Sequence, residues 1–328
     1  MVNSSYSNPQ FSINVVEGSI SLLLGMINNV GHSIHNELAG FSVLSELKLI
    51  RELDSIIMIR DDFSISDYIK VKYGLPQIPL FKISSISACP IIINKVFFSS
   101  VDTTFLQELL LHKYPSNINC CKDYESFNIV FDIRTNRRKC LNQLEVIQKV
   151  VEYATQNLQK KINISIFGWY TTNGQGYSEV QINEQKQFVL SLKELFENDH
   201  NIQVYDYIGR ELIECISICK TTDMILCNSG SGVGFLTNLL FNTVPIIHYT
   251  NSLAYECFYE QSIVLEKPGF QSYKIPKDSL KDHCLKDGII DPNYSYTFEF
   301  NDFYISNFDG LLQIVGNILQ LHKDQFLS

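Results

Sequence analysis

Three stretches of the sequence carry residues whose types and spacing suit a small anionic ligand and a proton transfer. The first is Asn228-Ser229-Gly230-Ser231-Gly232, inside DMILCNSGSGVGFLTNLLFNTVPIIHY. Small residues let a backbone approach a ligand closely, and the free N–H groups of a helix N-terminus favour an anion. The hydroxyls of Ser229 and Ser231 add donors. The same string also suits an ordinary strand-to-helix turn with serine as N-cap. The second stretch, FNIVFDIRTNRRKC, brings Arg134, Arg137, Arg138 and Lys139 within six positions. Guanidinium groups match phosphate oxygens in pairs, so such a cluster could neutralise a diphosphate. A solvated charge cluster on a loop would read the same way. The third runs from Asn28 to Glu37 and holds His32, His35 and Glu37. An imidazole near neutral pKa can take a proton from a hydroxyl, and a carboxylate can orient it or act itself. Capping or packing is the plainer use of either histidine. The pattern is not HExxH and falls short of a full ligand set, so no metal site is expected.

Two further positions are candidate contacts to a base or sugar. Trp169, the single tryptophan of the chain, closes an apolar run, and Tyr207 closes the next. Packing accounts equally well for a tryptophan at a strand end.

The elements that must position these residues are most regular in the second half. Apolar runs predict strands at Phe127–Ile133, Ile162–Trp169, Ile202–Tyr207, Met224–Cys227 and Val244–Tyr249. Helical spacing fills the gaps at Asn142–Lys160, Asn183–Phe196, Glu211–Cys219 and Gly232–Phe241. Strands alternating with helices indicate an α/β fold with a parallel sheet covered on both faces. Glu184 is expected to supply a favourable charge at the start of its helix. The first third reads as strand-like Ile13–Met26, a helical pattern from Ile34 to Ile50, and short β-type runs at Ser55–Ile59 and within Pro79–Ser100. The region Ser252–Asn307 reads as irregular and aromatic, and Gly310–His322 as an amphipathic helix. The polar, proline-containing stretch around residues 114–126 marks a boundary. The expected division is 1–120 for an N-terminal α/β domain and 121–328 for a C-terminal one.

Composition narrows the function classes. The chain has 328 residues, 45% of them hydrophobic and 19% charged, which excludes disorder as the main state. A net charge of −9 argues against a dedicated nucleic-acid binder. Nine cysteines, an odd number with no CxxC pair, point to a reducing compartment. MVNSSYSNPQ lacks a basic n-region, and the run Ile20–Ile27 is far shorter than a membrane span. A cytoplasmic protein without a membrane span is expected.

Strand, small-residue turn, helix and a strand opening with Val244-Pro245-Ile246-Ile247 resemble the donor-binding half of GT-B glycosyltransferases, most closely the heptosyltransferase type. The likeness covers roughly residues 127–250. The strand-then-arginine arrangement at Arg134 is similar to that of GT-B fucosyltransferases. The resemblance implies two Rossmann-like domains, with the last helix packing back on the first. It implies a nucleotide sugar as co-substrate, its diphosphate held by Arg134, Arg137, Arg138 and the turn Ser229, Gly230, Ser231 and Gly232. It places the loop with His32, His35 and Glu37 against an acceptor hydroxyl, where a base is needed. Heptosyltransferases use an aspartate there, and this loop has none. The implied reaction is a one-step, inverting displacement without a metal or other cofactor, and the absence of any DxD motif agrees with that. Acceptors in the family are surface glycans such as lipopolysaccharide or capsule, or proteins. A non-catalytic nucleotide-binding module of the same fold, or a nucleotide-sugar epimerase or hydrolase, are the alternatives.

Overall fold

The computed structural model describes residues 21–24, 49–58, 65–72, 74–75, 77–82, 125–135, 138–169, 179–219, 221–228, 244–252, 255, 271–283, 285–286, 289–290 and 302–327. The chain divides into two compact units, Met1–Phe97 and Phe98–Ser328. The division expected at residues 120/121 lies outside the described residues.

In the first unit, strands β1 (Ser21–Leu24), β2 (Ser55–Met58) and β3 (Leu80–Lys82) form a parallel sheet in that order. A helix, α1 (Ile65–Lys72), connects β2 to β3. The sequence reading missed this helix, because ISDYIKVK is short and its β-branched residues blur the helical period. The helical pattern expected over most of Ile34–Ile50 lies outside the described residues.

The second unit is built on six parallel strands. They are β4 (Ser126–Asp132), β5 (Lys161–Phe167), β6 (Ile202–Asp206), β7 (Met224–Asn228), β8 (Ile246–Tyr249) and β9 (Ser272–Lys274). Their spatial order is β6-β5-β4-β7-β8-β9. Numbered from β4 as the first, this is 3-2-1-4-5-6, the doubly wound Rossmann order. Central strands β4, β7 and β8 are almost wholly buried, and the edge strands β6 and β9 are half-buried. That gradient is what a parallel sheet covered on both faces produces.

Side chains alternate across the sheet. Phe127, Ile129 and Phe131 of β4, Ile162, Ile164 and Ile166 of β5, Met224 and Leu226 of β7, and Ile247 and Tyr249 of β8 share one core. Helices α2 (Gln143–Asn157) and α3 (Glu179–Leu195), with the C-terminal helix α5 (Asp309–Leu327), pack onto it. The opposite face carries Val130, Phe167, Ile225, Cys227, Ile246 and His248. The short helix α4 (Leu212–Cys219) lies between β6 and β7. The buried stripe of α2 runs through Ile147, Val151 and Ala154. It includes Val146 and Val150, and also Gln143.

Boundaries moved at several useful places. Helix α3 begins at Glu179, a turn before Asn183, so Glu184 stands in its second turn, exposed, and not at its start. Strand β5 ends at Phe167, which leaves Trp169 in the turn beyond it. Strand β7 runs one residue further, to a buried Asn228. The sixth strand, β9, was read as irregular. So were the short strands β10 (Leu280–Asp282), β11 (Leu285–Lys286), β12 (Ile289–Ile290) and β13 (Phe303–Ile305). Strand β13 pairs antiparallel with β10 and sinks Phe303 into the core.

Helix α5 packs on α2 within its own unit, where Leu311, Val315, Ile318 and Leu319 are buried. Each such side chain contributes roughly 1.5–3 kcal/mol. A polar network fixes its far end to the N-terminal edge of the sheet. His322 of α5 faces the Asp223 carboxylate at 3.4 Å through Nδ1, and its Nε2 lies 3.3 Å from Lys160 Nζ. The Lys160 ammonium can only donate, so Nε2 accepts and the ring proton sits on Nδ1, toward Asp223. Asp223 Oδ2 accepts from Asn128 N at 2.8 Å, and Asn163 Nδ2 donates to Asn128 Oδ1 at 2.9 Å and to Ser126 Oγ at 3.0 Å. Phe127 meets the imidazole edge-on.

Candidate functional site

An open parallel sheet of this order binds ligands beyond the carboxyl ends of its strands, at the point where the strand order reverses. Here the reversal lies between β4 and β7. These strands run side by side, with Asp132 opposite Cys227. The turn after β4 carries Arg134, and β7 ends at Asn228.

Arg134 is half-buried, and its backbone N–H donates to Gln143 Oε1 at 3.2 Å. Its charge is felt across the reversal point. Burial pushes the Cys227 thiol well up, the Asp132 carboxylate adds to that, and the Arg134 guanidinium opposes it. The Tyr249 phenol is raised by burial above all, and again Arg134 opposes. Arg134 thus lies two residues beyond the end of β4, beside the point where the strand order reverses.

Two buried glutamines hold the strand ends. Gln143 begins α2 and takes the Arg134 N–H. Gln185, in the middle of α3, accepts from Trp169 N at 2.6 Å and reaches Ile133 O with its Nε2 at 3.5 Å. It thereby ties the turn after β4 to the turn after β5. Gly168 makes room for it, since a Cβ there would lie 2.5 Å from Gln185 Oε1. Trp169 O in turn accepts from Gly209 N at 2.7 Å, and Gly209 adopts φ +79°, a left-handed value that suits glycine. Sequence reasoning missed both glutamines. A polar residue on a helix gives no local sign that its amide reaches a strand end.

Trp169 is half-buried and packs against the core. Tyr207, in the turn after β6, is half-buried and meets Phe167 edge-on at 5.3 Å. Burial raises its phenol, with Tyr205 and Glu214 adding to the rise. Arg138 lies in the turn after β4 with its carbonyl accepting from Asn228 Nδ2. The remaining predicted residues, Arg137, Ser229, Gly230, Ser231, Gly232, His32, His35 and Glu37, lie outside the described residues.

Several buried polar atoms at this edge have no hydrogen-bond partner among the described residues: Thr135 Oγ1, Gln143 Nε2, Asn228 Oδ1 and Thr250 Oγ1. Close by, Cys227 Sγ and His248 Nδ1 are 3.3 Å apart. Burial, with Lys274 adding, lowers the imidazole to about 4, so both groups are neutral at neutral pH. A neutral buried thiol is not a nucleophile, and this pair is packing. Among the described residues no three His, Cys, Asp or Glu side chains group as a metal site. No helix among them is long and apolar enough to cross a membrane.

No protein-family model matches the sequence, and no curated protein matches it. Solved structures to which this chain is similar include a UDP-GlcNAc 2-epimerase from Methanocaldococcus jannaschii in complex with UDP-GlcNAc and UDP. It is 13% identical over 92% of this chain and 69% of that one, with a TM-score of 0.38. A glycosyl transferase family 9 protein from Veillonella parvula is 11% identical over 76% of this chain and 69% of that one, TM-score 0.34. MurG from Acinetobacter baumannii is 11% identical over 75% and 65%, TM-score 0.29. By its own strand order and helix-covered parallel sheet, the second unit of this chain is a Rossmann-like α/β fold, and these solved enzymes are what the chain is similar to.

Proposed function

We propose that this chain is a cytoplasmic GT-B-type glycosyltransferase. It would carry a sugar from a nucleotide-activated donor to a hydroxyl of a surface glycan, such as lipopolysaccharide or capsule, or of a protein. One observation carries the reading. Arg134 stands half-buried two residues beyond the end of β4, at the reversal point of a 3-2-1-4-5-6 sheet, where a nucleotide diphosphate would lie.

In the proposed reaction the acceptor hydroxyl attacks the anomeric carbon as the sugar–phosphate bond breaks. His32, His35 or Glu37 takes the acceptor proton. Arg134, with Arg137 or Arg138 and the N–H groups from Ser229 to Gly232, stabilises the charge that grows on the departing diphosphate. The cations and the helix N-terminus supply the charge that a metal supplies elsewhere. Trp169 and Tyr207 flank the same strand ends as candidate base or sugar contacts.

A thermal-shift series with UDP, GDP, ADP, TDP and CMP tests the donor site. A ligand at about 100 times its Kd adds roughly 2.7 kcal/mol of stability, enough to move Tm visibly. Selective stabilisation by one nucleoside diphosphate is expected, and Arg134→Ala should weaken it by about 1.5–3 kcal/mol. Silence across the series would sink the reading. Incubation with the matching nucleotide sugar then separates the chemistries: rearrangement or hydrolysis without an acceptor would mark an epimerase or hydrolase, and unchanged donor a binding module.

A further inference from the structure

Arg138 holds a backbone conformation that its residue type disfavours. Its φ is 63°, and it is the single non-glycine residue with positive φ among the described residues. Glycine adopts this region freely, whereas a side chain with a Cβ meets steric strain there. Such strain persists only where the surroundings over-determine it, and it gathers at working sites.

Two anchors hold Arg138 in place. On its C-terminal side, Lys139 N donates to Asp302 Oδ1 at 2.8 Å, and Lys139 O accepts from Phe303 N at 3.0 Å. The second anchor is Asn228, whose Nδ2 makes a short hydrogen bond to Arg138 O across 90 residues of sequence. Asn228 is the last residue of β7 and only 1% exposed, yet its Oδ1 has no partner among the described residues. A buried amide that makes one long-range bond and leaves its oxygen unsatisfied is poorly explained by stability alone. Because β4 and β7 are neighbours, this bond joins the two turns that flank the reversal point.

We infer that Asn228 is a positioning residue for diphosphate binding, acting through Arg138. It clamps the carbonyl of the strained turn, and so fixes the direction in which the Arg138 side chain leaves the backbone. With an ordinary negative φ, that cation would project elsewhere. The inference rests on the donor-site reading above, and the ligand class it concerns is the diphosphate of a nucleoside diphosphate. Arg138 grips phosphate, and Asn228 does not touch it.

The test is calorimetric titration of inorganic pyrophosphate and of UDP into the full chain, well below Tm. It compares wild type, Arg138→Gly, Asn228→Ala and the double variant. Arg138→Gly suits the left-handed backbone, so it keeps the fold while removing the guanidinium. It should weaken binding about 10- to 100-fold, the range of a charged hydrogen bond. Asn228→Ala should weaken binding about 5- to 50-fold. The double variant should bind no more than about 2-fold worse than Arg138→Gly alone, because both changes remove one interaction. A purely structural Asn228 would lower Tm and leave the dissociation constants unchanged, which overturns the inference. Multiplied losses in the double variant overturn it too, while leaving the donor site standing. If wild type binds neither probe, the donor-site reading falls and this inference with it. Should Asn228→Ala fail to fold, Asn228→Ser serves, since its hydroxyl is too short to reach the Arg138 carbonyl.

Discussion

The two edges of the six-stranded sheet are built to different ends. At the N-terminal edge, Ser126, Asn128, Asn163, Asp223, His322 and Lys160 each meet a polar partner within the network, although the buried Asp223 Oδ1 faces His322 Nδ1 at 3.4 Å without a hydrogen bond among the described residues. At the C-terminal edge, Thr135, Gln143, Asn228 and Thr250 each bury an atom without a partner among the described residues. Ser272 Oγ, at the start of the edge strand β9, is a similar atom at the opposite end. The C-terminal edge also holds the strained Arg138. An edge whose polar groups pair with each other contributes stability. An edge that leaves buried polar atoms unsatisfied has given up some stability, and in parallel α/β sheets that is the edge where ligands bind.

The largest expected effect breaks the N-terminal edge. Asp223→Ala removes the acceptor for Asn128 N and leaves His322 and Lys160 facing each other without a carboxylate. Losing two hydrogen bonds to a buried carboxylate, each worth roughly 1.5–3 kcal/mol, costs about 3–5 kcal/mol, or roughly 6–20 °C in Tm for a unit of this size. Pyrophosphate affinity, measured where the variant is folded, should stay within about 2-fold. A large loss of affinity would show that the two edges are not separable.

Acid attacks near the other edge. Burial holds His248 at about 4 against an ordinary 6.5, so the folded chain resists a proton that the unfolded chain accepts. This contribution is intact above pH 6.5 and is lost as pH falls from 6.5 toward 4. The loss is on the order of 3 kcal/mol. Urea midpoints across that window should fall in the wild type and flatten in His248→Gln. Equal slopes would remove His248 as the cause.

Gly168→Ala comes next. Its Cβ displaces the buried Gln185 amide and costs the bonds to Trp169 N and Ile133 O. A stability loss of about 1–3 kcal/mol is expected, with weaker nucleotide binding because the turn after β4 is released. Adding Gln185→Ala to it should recover part of the strain but not the binding. The smallest effect is Tyr249→Phe, which removes a long hydrogen bond to Asp132 O at 3.4 Å. About 0.5–1 kcal/mol in a denaturant titration is expected.

What the sequence shows and what it hides divide along physical lines. Strands β4, β5, β7 and β8 are apolar runs because both faces of a parallel sheet are buried, so a one-dimensional pattern is enough to find them. Strand β9 is Ser-Tyr-Lys, three half-buried residues at an edge, and carries no such run. The position of Arg134 just beyond β4 was legible because a cation after an apolar run is a local feature. Gln143, Gln185 and the Asn228 bond to Arg138 were not, because each depends on which backbone group a polar side chain meets after folding. Asn228 was read as the opening of a turn. Its place as the buried last residue of β7 follows from pairing with Tyr249 on the neighbouring strand, which no local pattern reports.

The fit between Gly168 and Gln185 has a consequence for how this fold can vary between chains. The space that a Cβ at position 168 would take is already filled by the end of another side chain. A relative with alanine or serine at 168 therefore needs a shorter residue at 185, and loses the bridge between two strand ends unless another group replaces it. The two positions, 17 apart, are expected to be inherited as a pair: glycine with glutamine, or neither. Related sequences that carry a side chain at 168 together with an intact glutamine at 185 would have to seat that amide somewhere else.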